Sequence, residues 1–179
     1  MCESFYEQAT AWALTPYKNG QTFKHVSKEE KLIAKKSEDE WGNMMIHQGK
    51  NGNWTTRLGE QLVKEHLIRL GENPIRPMKK GGYQPDWETD EYIYEVKTRT
   101  WCTTGTAGEK VLGSMYKYSD VPELYGKPLR IVCVAFQEYE LTHGNTKIFG
   151  EVGQTKQRML QLGKELGIEY VKFSDIANK

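Results

Sequence analysis

This sequence of 179 residues has little that would support a disulfide framework, a zinc site or a membrane span. Its three cysteines include no CxxC pair, and its four histidines show neither HxxxH nor HxxE spacing, which disfavours disulfide scaffolds and zinc sites. The longest apolar run, residues 131–136, is far shorter than the ~20 residues of a membrane-spanning helix. No secretory-signal pattern is visible at the start. We therefore expect a cytoplasmic protein with no membrane partner.

Net charge is also nearly absent, at +1 from 25 basic and 24 acidic side chains. The two signs are spread evenly along the chain, so any basic surface for a polyanion has to be assembled by folding. The composition, with 37% hydrophobic and 27% charged residues, is typical of one globular domain at the polar end of the range. No GxxxxGK[ST] phosphate-binding loop is present, which argues against ATP-driven chemistry.

Helix and strand signals alternate from residue 55 onward. Apolar periodicity predicts helices over about 56–70, after a capping box at 106–109, and near 154–166. Strands are predicted at 83–88, 92–99, 129–136 and 168–173. The order predicts a single α/β domain whose core, residues 55–179, is a mixed central sheet flanked by helices.

Residues 1–50 predict a helical annex to that core. Two S/T-x-x-E capping boxes, Ser27 with Glu30 and Ser37 with Glu40, each predict the start of a helix. Residues 49–53, rich in glycine and asparagine, predict a loop between annex and core. We expect the core to fold without the annex.

The most specific signal is a predicted hairpin with its turn centred between Asp90 and Glu91. This register places Asp86 directly opposite Glu95, where paired Cβ atoms are about 5 Å apart. Two carboxylates at that distance repel each other unless a positive group lies between them, and a divalent cation with oxygen ligands fits. Strand alternation puts Lys97 on the face of Glu95. The opposite face is expected to pack on a helix through Trp87, Tyr92, Tyr94 and Val96.

These residue types suit phosphodiester hydrolysis. A Mg²⁺ ion held by Asp86 and Glu95 polarises a phosphate oxygen and lowers the pKa of a bound water. Lys97 beside it can orient or deprotonate that water and offset charge at phosphorus. An ordinary surface Glu–Lys pair is the alternative, but it leaves the facing carboxylates unexplained.

Pro85-Asp86, eight intervening residues and Glu95-Val96-Lys97 resemble the PD-(D/E)XK signature of restriction-endonuclease-like nucleases. The element order over residues 55–136 resembles the core of that superfamily. The resemblance implies a metal-dependent endonuclease of the small type II restriction kind, which cuts double-stranded DNA as a homodimer. It implies one or two Mg²⁺ ions, for which Mn²⁺ should substitute.

The resemblance also implies further site residues. The Val96 carbonyl and a glutamate of the preceding helix, here Glu60, would add to the metal ligands; for Glu60, a plain surface position stays nearly as plausible. Trp101 is equally compatible with the core, and Lys117 with solvated surface. The candidate DNA contacts are Lys79, Lys80, Tyr83, Arg99, Trp101 and Lys117.

Three functions stay open at this point. The first is sequence-specific restriction, and the second is a repair, resolvase-like or homing nuclease of the same chemistry. The third is a non-catalytic DNA-binding module, against which the intact set of Asp86, Glu95 and Lys97 speaks. In each case we expect the annex to serve DNA recognition or the dimer contact.

Overall fold

The structure, a computed structural model, describes residues 4–15, 27–47, 53–102 and 107–178. The helices in these ranges are α1 (Phe5–Leu14), α2 (Lys28–Met45), α3 (Trp54–Arg69), α4 (Ala107–Leu112), α5 (Ser114–Lys117), α6 (Val121–Tyr125), α7 (Phe136–His143), α8 (Gln154–Glu165) and α9 (Phe173–Ala177). The strands are β1 (Trp87–Glu88), β2 (Ile93–Arg99), β3 (Leu129–Ala135) and β4 (Ile168–Lys172). None of these helices is long and apolar enough to cross a membrane.

The strands form one mixed sheet in the order β1-β2-β3-β4. β1 is antiparallel to β2, whereas β2, β3 and β4 are parallel to one another. Trp87 lies opposite Tyr94, and Glu88 opposite Ile93, which confirms the register expected for the hairpin. β1 is shorter than the strand predicted at 83–88, since Pro85 has no N–H to donate to a ladder. The α/β class with a mixed sheet flanked by helices is confirmed.

The two faces of the sheet pack in two apolar clusters. On one face, Tyr94 and Val96 join the buried side of α3, with Trp87 and Tyr92 packed partly buried against them. This confirms the face expected to pack on a helix. On the other face, a second cluster includes Ile93, Leu129, Ile131 and Cys133 of the strands with Val111, Tyr118, Val121, Tyr125 and Leu141 of the helices.

α3 approaches the sheet closely at Gly59. A Cβ atom added there would lie 1.7 Å from Thr98 Oγ1, so a side chain at this position would force the helix and β2 apart. Glu60 is the next residue, and its carbonyl accepts a hydrogen bond of 2.9 Å from Trp87 Nε1. The close approach and this hydrogen bond together place Glu60 beside the hairpin.

The described part of the annex, residues 4–15 and 27–47, is helical, as expected, but it is not separate from the core. The capping box of Ser27 with Glu30 starts α2, whereas the helix start predicted at Ser37 is wrong. Ser37 lies inside α2, because a capping-box spacing does not start a new helix where helix-favouring residues continue on both sides. Trp54, the first residue of α3, is buried in the same cluster as the α1 residues Ala9 and Ala13.

Other boundaries show where local patterns fail. The strand predicted to end at Phe136 ends one residue earlier, because Ala135 has φ +57° and turns the chain into α7. The helix predicted near 154–166 is confirmed, and so is the strand predicted at 168–173, except that Phe173 already begins α9. Tyr116, expected on the apolar side of the helix after 106, is 88% exposed because α4 and α5 are separate turns. Thr106 and residues 49–52 lie outside the described residues.

Candidate active site

Asp86 and Glu95 face each other across the hairpin. The Asp86 N–H donates to the Tyr94 carbonyl at 3.0 Å, which extends the ladder one residue beyond β1. The Val96 N–H donates to Asp86 Oδ2 at 2.7 Å. Both acids are nearly buried, with Asp86 8% and Glu95 6% exposed. The hairpin therefore places two carboxylates together with little access to water.

This pairing has an electrostatic cost. Burial, and then the charge of Glu95, raise the pKa of Asp86 to about 7, while the Val96 N–H and Lys97 act in the opposite direction. Burial disfavours the charged form of a carboxyl group, and a second carboxylate disfavours it further. The folded protein therefore holds Asp86 where the charged form of its carboxyl group is disfavoured.

Glu95 is held through one of its two oxygens. Its Oε1 accepts hydrogen bonds from Lys97 Nζ at 2.5 Å and from the Tyr118 hydroxyl at 2.6 Å. Among the described residues, no donor contacts Oε2. The two donors orient the carboxylate and leave Oε2 as the oxygen that can bind an external ligand.

Tyr118 is a site residue that the sequence did not reveal. It follows α5 and is buried; burial, and then its hydrogen bond to Glu95, raise the pKa of its hydroxyl. The hydroxyl therefore stays protonated and donates. Lys117 Nζ in turn donates to the same hydroxyl at 3.0 Å. The expected DNA contact Lys117 thus lies at the site, although its side chain is exposed.

Arg76 is the second site residue that sequence reasoning missed. Its Nη1 atom contacts Glu60 Oε2 at 3.1 Å, the Asp86 carbonyl at 3.2 Å and Asp86 Oδ1 at 3.5 Å. These contacts connect Glu60 to Asp86, so the glutamate that the resemblance implies as a further ligand lies beside the acid pair. Ile75 next to it bridges Glu88 and so holds this extended segment along β1, a tertiary contact that no local sequence pattern predicts.

The donors at the site suit a hard divalent cation. Carboxylate and carbonyl oxygens are what Mg²⁺ prefers, and Asp86, Glu95 and the Val96 carbonyl are of this type. Among the described residues, no group of three or more His, Cys, Asp or Glu side chains is arranged to hold a metal. Two side chains and the carbonyl are therefore the available donor set, with Arg76 between Glu60 and Asp86.

A turn that carries two lysines, Lys79 and Lys80, lies on the Tyr118 side of the site. Lys79 is exposed, and Lys80 Nζ lies 4.6 Å from the centre of the Tyr125 ring. Lys80 and Tyr83 pair backbone to backbone around two glycines, 81 and 82, whose φ values of +55° and +90° suit a two-residue type I′ turn. The Tyr83 ring lies 6.0 Å from that of Tyr118, so the turn adjoins the helical side of the site.

Arg99 and Trp101, by contrast, lie in the interior, and the expectation that they contact DNA needs correction. Arg99 is 5% exposed, pairs with Glu140 and lies over the Phe136 ring at 4.8 Å. Trp101 is 6% exposed and donates from Nε1 to the Trp12 carbonyl at 2.9 Å. Tertiary packing at the end of β2 buries both side chains, and this burial cannot be predicted from a local sequence pattern.

The hairpin, α3, the extended segment at Ile75 and the residue after α5 together form one cluster of three acids, two cations and a phenol. Its members are Asp86, Glu95, Glu60, Lys97, Arg76 and Tyr118. No protein-family model, curated protein or solved structure matches the chain.

Proposed function

We propose that this protein is a metal-dependent endonuclease that hydrolyses phosphodiester bonds in double-stranded DNA, of the type II restriction kind. The observation that carries the proposal is the nearly buried pair of Asp86 and Glu95 with Lys97 bonded to one of the acids. The order α3, extended segment at Ile75, β1, β2, helices and β3 also resembles the PD-(D/E)XK core. A structural ion pair alone would not require the second buried carboxylate.

Mg²⁺ is the cofactor that the donor set fits, with Mn²⁺ as a substitute. Asp86, Glu95 and the Val96 carbonyl would hold it, and Glu60 is a further ligand if Arg76 moves away. When bound, the cation supplies Lewis-acid polarisation of a phosphate oxygen and water activation.

Lys97 and Tyr118 have distinct roles in this proposal. Lys97 is a catalytic residue: its ammonium, with a side chain 29% exposed, donates to the reacting phosphate or water and offsets the charge that develops at phosphorus. Tyr118 is a positioning residue, because its hydroxyl donates to Glu95 Oε1 and so acts through that carboxylate. Fixing one oxygen keeps the other in place for the cation.

Basic side chains beside the acids would bind the DNA backbone. Lys79, Lys80 and Lys117 flank the site on the side of Tyr118, and Lys64 lies over the Trp87 ring at 5.0 Å on the side of α3. Contacts to phosphates set the register of a protein on duplex DNA. With two strands to cut and one acid pair among the described residues of each chain, a two-fold homodimer is favoured, because it matches the symmetry of the duplex.

Incubation of the purified protein with plasmid DNA tests this function. We expect cleavage with Mg²⁺ or Mn²⁺ and none after chelation with EDTA. Discrete fragments would support sequence-specific restriction, whereas a smear would favour a nuclease with another role. Binding of duplex DNA without cleavage at any divalent cation concentration would favour a non-catalytic module and contradict the proposal.

A further inference from the structure

Arg76 occupies the place between Glu60 and Asp86 where a positive charge is needed. A single nitrogen, Nη1, reaches Glu60 Oε2 at 3.1 Å and Asp86 Oδ1 at 3.5 Å. The other oxygen of Asp86 already accepts from the Val96 N–H. Oδ1 is therefore the Asp86 oxygen left for an external ligand, and it is the oxygen that Arg76 contacts.

Among the described residues, only Nη1 of this guanidinium donates hydrogen bonds, and the Arg76 side chain is 48% exposed. Arginine presents its N–H groups as a rigid fork that matches two oxygens of a phosphate. Arg76 thus contacts the two acids through one nitrogen, and its other N–H groups can donate to an anion.

Arg76 also donates to the Asp86 carbonyl at 3.2 Å, but its contact with the Asp86 carboxylate is weak. The 3.5 Å contact with Oδ1 is at the long limit of a hydrogen bond, and the opposite face of the group only approaches Trp87, with 5.7 Å between the guanidinium carbon and the ring centre. A divalent cation brings twice the charge to the same oxygen. Cation and guanidinium therefore compete for Asp86 Oδ1, and the binding of one opposes the other.

We propose that Arg76 is a phosphate-binding residue that occupies part of the cation position while DNA is absent, and exchanges the acids for a backbone phosphate when cation and DNA bind. The inference rests on the proposed function and specifies how its site is regulated: Mg²⁺ binds weakly to the free protein and more tightly once DNA engages Arg76. Coupling of this kind commonly changes affinities about five- to 150-fold.

Mg²⁺ titration of the full-length protein by calorimetry, without DNA, tests the first half. Arg76→Ala should bind Mg²⁺ at least about fivefold more tightly than the wild type. Arg76→Gln keeps most of the side-chain length over Trp87 and should show the same direction if the alanine variant folds poorly. Arg130→Ala is the matched control, since Arg130 pairs with Glu169 and lies over the Tyr92 ring; its Mg²⁺ affinity should equal that of the wild type.

DNA binding tests the second half. Gel-shift titrations with Mg²⁺ in a Lys97→Ala background, which slows cleavage, should show weaker duplex binding when Arg76 is also replaced. The salt dependence should lose the contribution of roughly one phosphate contact. The same double replacement with Arg130→Ala should leave affinity and salt slope unchanged.

Tighter Mg²⁺ binding together with a reduced salt slope supports the exchange. Unchanged or weaker Mg²⁺ binding in both Arg76 variants overturns it, as does an unchanged salt slope. When the Arg76 variants fail in one of these ways, Asp86→Asn separates the two proposals. If the wild type still binds Mg²⁺ and Asp86→Asn does not, only the exchange falls and the proposed function stands. If neither the wild type nor any variant binds Mg²⁺, the exchange and the proposed function both fall.

Discussion

The Val96 N–H donates to Asp86 Oδ2 at 2.7 Å, so the strand that carries Glu95 and Lys97 also orients the acid opposite them. One carboxylate oxygen of Asp86 is fixed by this backbone donor, and one of Glu95 by Lys97 and Tyr118. The hairpin therefore fixes the orientation of both carboxylates, as the proposed cation site requires. Its stability and its proposed chemistry depend on the same few contacts.

The stability of the metal-free protein should depend on pH through Asp86. Its pKa of about 7 in the folded protein lies above the value of about 4 in an unfolded chain. The folded state therefore binds the extra proton, so the stabilisation is complete below about pH 4 and is lost as pH rises through about 7. Urea unfolding with EDTA should show a loss on the order of 1–3 kcal/mol between pH 5 and 8.

Asp86→Asn should remove most of this pH dependence, because the amide does not ionise. Glu88→Gln is the matched control, since Glu88 lies two residues along the chain and pairs with Lys127. If the Asp86 variant keeps the wild-type slope, another group is responsible.

Lys97→Ala should slow cleavage by about 10² or more, the effect of losing acid–base or electrostatic help, while DNA affinity stays near that of the wild type. Single-turnover rates at saturating protein separate the two quantities. Lys127→Ala removes a similarly exposed lysine that pairs with Glu88 and should cut normally. A Lys97 variant that binds poorly but cuts normally at saturation would show a phosphate anchor instead of a catalytic group.

Tyr118→Phe should weaken Mg²⁺ binding about tenfold, since partners that orient a metal ligand commonly contribute 10–100-fold to affinity. Calorimetric titration measures this directly. Tyr125→Phe loses a buried hydroxyl that donates to the Met78 and Tyr83 carbonyls, and it should bind Mg²⁺ normally. Equal affinities in the two variants would show that Glu95 does not need the phenol.

Gly59→Ala should destabilise the protein by about 1–3 kcal/mol, the usual effect of overpacking, because the new methyl group meets Thr98 Oγ1. Thermal unfolding measures the loss, and Mg²⁺ affinity reports whether Glu60 has moved. Gly153→Ala places its methyl group in open space, so its loss should not exceed the ~1 kcal/mol of replacing the N-cap glycine of α8. A stable Gly59 variant would mean that α3 can shift along β2 at little energetic cost.

Deletion of residues 1–50 should unfold the protein, contrary to the sequence-based expectation. The deletion exposes Trp54, whose Nε1 donates to Asp39, and removes Glu38, which accepts from the Trp101 and Cys102 N–H groups. Circular dichroism and thermal melting of the truncated chain test this. A cooperative melt near that of the full chain would restore the annex as a separable unit.

The acid pair was predictable because a two-residue alternation and a short turn fix the hairpin register, and with it the position of Asp86 against Glu95. The contact face of α3 follows from helical periodicity in the same way. Tyr118 and Arg76 were not predictable, since each reaches the site from a segment whose position depends on tertiary packing. The burial of Arg99 and Trp101 has the same origin: α1 and α7 cover the end of β2, and no local pattern records this.

Mg²⁺-dependent cleavage of plasmid DNA by Asp86→Asn and Glu88→Gln, side by side with the wild type, tests the central claim most directly. Both substitutions remove one carboxylate from the same edge of the sheet, but only Asp86 belongs to the acid pair. We predict that Asp86→Asn, like Glu95→Gln, abolishes cleavage while its thermal melt stays cooperative, and that Glu88→Gln cuts at the wild-type rate. Cleavage by Asp86→Asn at close to the wild-type rate would contradict the assignment of the active site.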